Sequence, residues 1–164
     1  MIKTRNLLLI GAVLMSYLGY SQDNKLTITF PKDSLSFYMN KYKDISKAIK
    51  VAPIKSMRVS YVYLDGSKLT LDEINKLRKK IISDYKKGKS FAELANLYTM
   101  DGVKDGDIGW FDSGMMVKVF EDEIKNHKKG NIFTVDIPEN KWYYVVLKTF
   151  NDTEKIQMEI EKNN

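Results

Sequence analysis

Two capping-box patterns within 24 residues, Thr70 with Glu73 and Ser90 with Glu93, predict the starts of two successive helices. In such a box a hydroxyl accepts from the backbone three residues on while the glutamate reaches back, so two otherwise orphaned N–H groups are satisfied together. Leu71, Ile74, Leu77, Ile81 and Tyr85 then recur on one face until Gly88, and Phe91, Leu94, Ala95 and Tyr98 do so after Ser90. Two amphipathic helices need an apolar surface to cover, and the flanking segments offer one. "MRVSYVYL" from Met57, closed by Asp65-Gly66-Ser67, and "KWYYVVLKTF" from Lys141 are dense in β-branched and aromatic residues and predict strands. "NIFTVDI" predicts a shorter strand that breaks at Pro138-Glu139-Asn140, and Val117, Phe120 and Ile124 mark a third short helix ending at Gly130. The class is α+β.

Upstream, "KLTITF" alternates Leu26, Ile28 and Phe30 as a half-buried strand does. Leu35, Tyr38, Tyr42, Ile45 and Ile49 follow at spacings of three and four behind Ser34, predicting an amphipathic helix from Leu35 to Lys50 that ends before Pro53. That helix either packs on the main domain or, with Leu35, Tyr38 and Tyr42 free, forms a dimer or client-binding arm. Lys3 and Arg5 precede an unbroken apolar run from Leu7 to Met15, and Gly19-Tyr20-Ser21 carries small residues at the two positions that a signal peptidase reads. Residues 1–21 therefore read as a secretory signal, too short for a span of ~20 residues, with the mature chain exported, periplasmic or extracellular, and soluble. Residues 22–55 read as an N-terminal arm, 56–151 as the main domain and 152–164 as a polar, frayed tail.

Composition excludes more than it proposes. At 164 residues, 43% hydrophobic and 29% charged, the chain suits one domain with appendages. Loss of the signal lowers the formal charge from +6 to +4, and the lysines alternate with acids as on a solvated surface. With no Gly-rich phosphate loop and no aromatic-rich basic repeat, nucleic acid is not an expected partner. No cysteine is present and His127 is the one histidine, so neither a Cys-His pair nor a multi-histidine metal site can be built. His127, in "KNHKKGN", reads as an exposed helix-end residue. Conventional hydrolases are disfavoured, and no metal or cofactor is expected.

The order strand, helix, helix, glycine-rich segment, helix, strand, strand carries three recognisable pieces: "SFAELANLYTMD", "GDIGWFDSGMMVKVFEDEI", and "KKGNIF" followed by "WYYVVLK". With them, Met57 to Phe150 resembles the parvulin-type (rotamase, PpiC-like) peptidyl-prolyl cis-trans isomerase domain, the middle piece being the specific one. The resemblance implies an FKBP-like superfold, a small four-stranded antiparallel sheet with surrounding helices, beside the N-terminal amphipathic helical arm. It also implies that Ile108, Phe111, Met116 and Phe120 wall the pocket that receives a substrate proline. A prolyl ring needs a dry, adaptable slot, which Met and Phe provide, and Gly106 and Gly109 let the backbone turn tightly. The alternative is that all four residues are simply core.

Parvulins typically carry a histidine in the first strand and another in the last, with a Cys or Asp near the pocket. Here the matching positions hold Tyr61, Tyr144 (Tyr143 if the register shifts by one) and Asp101. Both histidines are absent, and the loop from Asp101 to Gly106 is shorter than the family's. Each tyrosine keeps an aromatic plane and a hydrogen-bonding tip; Asp101 is either part of this polar set or a turn acid before Gly102. The resemblance implies an isomerase assisting the folding of exported, proline-containing polypeptides, or a binding module or chaperone of the same fold that grips such segments without catalysis. A third alternative is an assembly factor with a dimer interface along Leu35 to Ile49.

Overall fold

A computed structural model describes residues 24–163; the expected signal sequence, 1–21, lies outside them. The described residues divide into two compact units, one of residues 24–52 with 156–163 and one of residues 53–155.

In the first unit, β1 (Lys25–Pro31) is the expected alternating strand, and α1 spans only Leu35–Tyr42. The helix expected to reach Lys50 stops eight residues short, because β2 (Ser46–Asp65) begins there. Ile45 lies exposed in the turn between the two elements and Ile49 lies in β2, so neither extends the helix. At the junction Ser46 Oγ donates to the Tyr42 carbonyl at 2.6 Å, closing the helix end as the chain turns into β2. The residues expected as a frayed tail form β6 (Thr153–Lys162), which lies between β1 and β2. Ile156, Met158 and Ile160 are buried there with Phe30, an alternation concealed by the charged and amide side chains on the other face. Tyr38 stacks on Phe30 with centroids 4.2 Å apart, and Leu35 and Tyr42 pack against the same cluster. The stripe that a free arm would have exposed is therefore engaged within its own unit.

The second unit holds the rest of β2, then α2 (Leu71–Lys86), α3 (Phe91–Tyr98), β3 (Asp107–Asp112), α4 (Lys118–Lys125), β4 (Ile132–Ile137) and β5 (Trp142–Lys148). Its strands run β3-β2-β5-β4, each neighbour antiparallel. The glycine-rich segment contributes β3, and the third helix ends at Lys125, ahead of Gly130.

β2 and β5 are buried on both faces. Met57 and Val59 of β2 and Val146 of β5 join Phe111, Phe120 and Ile124 in one core, beneath α4. Val62, Leu64 and Val145 join Ile74, Ile81, Phe91 and Leu94 in the other, beneath α2 and α3. Each fully buried side chain of this kind contributes ~1.5–3 kcal/mol of apolar transfer. Both helix starts lie where the capping patterns predict. At α2 the box is complete, with Glu73 N–H donating to Thr70 Oγ1 at 3.3 Å and Thr70 N–H to Glu73 Oε2 at 2.8 Å. At α3 Ser90 occupies the cap position, but its side chain makes no capping bond.

The two cores meet the site at Gly106, whose φ is +67°. A Cβ there would stand 2.3 Å from the Tyr61 carbonyl oxygen and 2.8 Å from the Ala95 side chain, so β2 and α3 close on this backbone directly. Gly88, at φ +96°, has nothing within 4 Å of the same position. Gly106→Ala is therefore expected to lower unfolding free energy by on the order of 3 kcal/mol, combining left-handed strain with overpacking. Gly88→Ala should cost on the order of 1 kcal/mol from strain alone. Denaturant titration of both variants checks this, and equal losses would contradict the close approach at Gly106.

Candidate active site

Strand parity selects which tyrosines meet. Along β5, Tyr144 and Val146 face the first core, whereas Tyr143, Val145 and Leu147 face the second. Tyr144 thus lies on the face that Tyr61 shares, and the fallback Tyr143 lies on the other, where the Arg78 guanidinium sits 5.3 Å from its ring centroid. The Tyr61 and Tyr144 rings meet edge to face at 5.4 Å. Phe120 completes the group, 6.2 Å from Tyr61 and 5.1 Å from Tyr144. Contacts of this kind are worth ~0.5–1.5 kcal/mol beyond area burial.

Asp101 is bound to this cluster. The Tyr61 hydroxyl donates to Asp101 Oδ2 at 2.6 Å, while Oδ1 accepts from Thr99 Oγ1 at 2.8 Å and from the Val103 N–H at 3.2 Å. The carboxylate is held by three donors from β2, the end of α3 and the loop after it. Thr99 is tied in turn to β2, its hydroxyl accepting from the Tyr63 N–H at 3.1 Å.

The four apolar residues divide by depth. Phe111 and Phe120 are buried, at 3% and 4% exposure, within the first core. Ile108 and Met116 are partly buried and pack against that core together with Tyr61 and Tyr144. The phenylalanines thus form a floor, and the other four side chains form the surface above it. β3 is braced at its start by Asp107, which accepts from Arg58 Nε at 3.1 Å and from the Gly109 N–H at 2.9 Å. The Arg58 bond holds the Asp107 carboxyl below the usual carboxylate range.

Tyr63 belongs to the same face and was not among the expected residues. Its ring lies 5.4 Å from that of Tyr144, and the two are partners across β2 and β5. Its position two residues beyond Tyr61 in a strand is the signal that gives it away. Burial pushes the Tyr61 hydroxyl up, reinforced by its hydrogen bond to Asp101 and that group's charge. Tyr144 is pushed up to about 12, first by burial and then by Tyr63 and Asp101. Tyr63 is raised by burial, Asp65 and Asp101. The site keeps its phenols protonated as hydrogen-bond donors. Among the described residues no group of three or more acidic, His or Cys side chains is arranged to hold a metal ion.

Residues 37–152 match the model of the PPIC-type PPIase domain. The chain belongs to that family. It is 30% identical over 125 residues to a putative peptidyl-prolyl cis-trans isomerase, Cbf2, of Campylobacter jejuni, covering 74% of this chain and 43% of that protein. It is 35% identical over 83 residues to the foldase protein PrsA of a Geobacillus strain, covering 49% of this chain and 29% of the relative. The chain thus spans less than half the length of these curated relatives. Among solved structures, peptidylprolyl isomerase PrsA of Bacillus anthracis aligns at 25% identity and a TM-score of 0.49, over 72% of this chain and 48% of that one.

A phenol pKa raised on folding stabilises the fold fully below the ordinary value near 10, and this stabilisation is lost as pH rises through the folded value. Comparing ultraviolet titrations of the native chain and Tyr144→Phe should show the missing phenol ionising at about 12. A midpoint near the ordinary value would contradict the burial and charge described.

Proposed function

We propose that this chain is a peptidyl-prolyl cis-trans isomerase that assists the folding of exported polypeptides. Tyr61, Asp101 and Tyr144 form its polar set, and Ile108, Met116, Phe111 and Phe120 seat the prolyl ring. The observation that carries this reading is the Tyr61 hydroxyl donating to Asp101 at 2.6 Å beside an apolar floor that includes Phe120. Membership of the PPIC-type family supports the reaction, and the foldase relative supports the folding role. Export is supported by Lys3 and Arg5 ahead of the apolar run from Leu7. Among the described residues no helix is long and apolar enough to cross a membrane.

The reaction suits such a site. Rotation about an X-Pro bond faces a barrier of ~18–20 kcal/mol owed to amide resonance, with no bond broken. As the amide twists, conjugation is lost, the nitrogen recovers its lone pair and the carbonyl becomes ketone-like. Groups fixed to suit the twisted form better than the planar one lower the barrier. Tyr144 provides a neutral donor at the edge of an apolar surface, while Tyr61, whose one proton goes to Asp101, presents an acceptor oxygen. Asp101 holds Tyr61 in direction, and burial, reinforced by that carboxylate, keeps both phenols protonated.

A second reading is favoured by the phenols standing where the family usually has imidazoles: a module that grips proline-containing segments without accelerating them. Exchange NMR of a short X-Pro peptide separates the two. The purified chain is expected to accelerate cis-trans exchange, and Asp101→Ala to lower that acceleration by about tenfold or more, as for loss of a fixed electrostatic contact. Peptide shifts perturbed without acceleration would favour the binding module, and an unchanged rate in Asp101→Ala would remove Asp101 from the polar set.

A further inference from the structure

Bonded to the backbone of Met116 is a buried acid for which the proposed chemistry has no use. Glu121, in the first turn of α4, is 4% exposed. Its Oε1 accepts from the Gly114 N–H at 2.8 Å and from the Met116 N–H at 2.9 Å, and its Oε2 meets Lys125 Nζ at 3.3 Å. Burying a carboxylate is costly unless it is paired and hydrogen-bonded, so these bonds hold the acid in place as firmly as it holds them. The segment it grips joins β3 to α4 and lacks regular structure. Within it Met115 is 62% exposed and Val117 45%, whereas Met116 alone packs against the first core. The carboxylate thus fixes the backbone at the one residue that turns inward.

We infer that Glu121 is a positioning residue for the pocket: it clamps the backbone at Gly114 and Met116 and thereby sets the Met116 side chain where the prolyl ring is seated. This rests on the function proposed above. Charge alone does not make the clamp, since one oxygen must reach two N–H groups at once. Glu121→Gln keeps a carbonyl oxygen at the same reach, whereas Glu121→Asp keeps the charge and withdraws the oxygen by one methylene.

Amide hydrogen exchange and calorimetric titration with a short prolyl peptide, run on the full chain, test the role. Glu121→Gln should retain protection at the Gly114 and Met116 amides and bind the peptide much as the native chain does. Glu121→Asp and Glu121→Ala should lose protection at those two amides and bind about tenfold more weakly, the scale of a buried donor left unmade. In isomerisation the loss should appear in KM more than in kcat. If Glu121→Ala does not fold, the Asp and Gln pair still decides the question. A folded Glu121→Asp variant with both amides deprotected and unchanged affinity overturns the positioning role alone, as does one in which both amides stay protected. A native chain that binds no prolyl peptide overturns the proposed function and this role with it.

Discussion

β2 and β5 are paired in antiparallel register from Val59↔Lys148 to Asp65↔Trp142, and both are buried on two faces. The arrangement of the candidate site in the second unit depends on that pairing. Because side chains alternate across a strand, a slip of one residue would exchange the two cores and turn Tyr144 toward α2 and α3. Val59 and Val146 on one side, and Val62 and Val145 on the other, make both faces apolar in the observed register. The core therefore does more than stabilise the domain: it determines which aromatic side chains share a face with α4. Lys148, 1% exposed at the end of β5, adds a polar lock by donating to the Ile124 carbonyl at 3.1 Å and pairing with Asp152.

On that face the physical problem is to place donors beside an apolar surface without leaving them unmade. Tyrosine suits the task, since its ring belongs to the core while its hydroxyl reaches the rim. Tyr61 is anchored by Asp101, and Asp101 by Thr99 and the Val103 backbone, so the Tyr61 hydroxyl is oriented before any peptide arrives. Preorganisation of this kind is what differential stabilisation of a twisted amide requires. A histidine pair would orient its neighbours through ring nitrogens that titrate near neutrality; phenols raised by burial stay neutral across that range.

Much of this was legible in the sequence because periodicity and capping are local. The helix beginnings at Leu71 and Phe91 and the strand at Trp142 follow from patterns a few residues long, as does the Met57–Asp65 part of β2, whose start at Ser46 was not expected. What was not legible depends on distant partners. β6 has its alternation of Ile156, Met158 and Ile160 in plain view, yet its polar composition conceals it until β1 and β2 supply something to pair with. The three-and-four spacing that predicts a helix to Lys50 is cut short by the turn at residues 43–45, and Ile49 then belongs to β2. At the site, Tyr61, Tyr144 and Asp101 could be proposed from the family's pattern, but the choice between Tyr143 and Tyr144 needed the register. Nothing local marks Glu121 as a backbone clamp, because its partners at Gly114 and Met116 come into reach only when β3 and α4 are both formed.

The proposed seat for a prolyl residue is the Tyr61–Tyr144 face and no other surface of the unit. Methyl-selective NMR on isoleucine- and methionine-labelled chain, titrated with a short prolyl peptide, tests it most directly. The methyl signals of Ile108 and Met116 should shift with the peptide, while those of Ile74 and Ile81 in the opposite core should stay in place. Shifts centred on the α2 and α3 side, with Ile108 and Met116 unmoved, would contradict it.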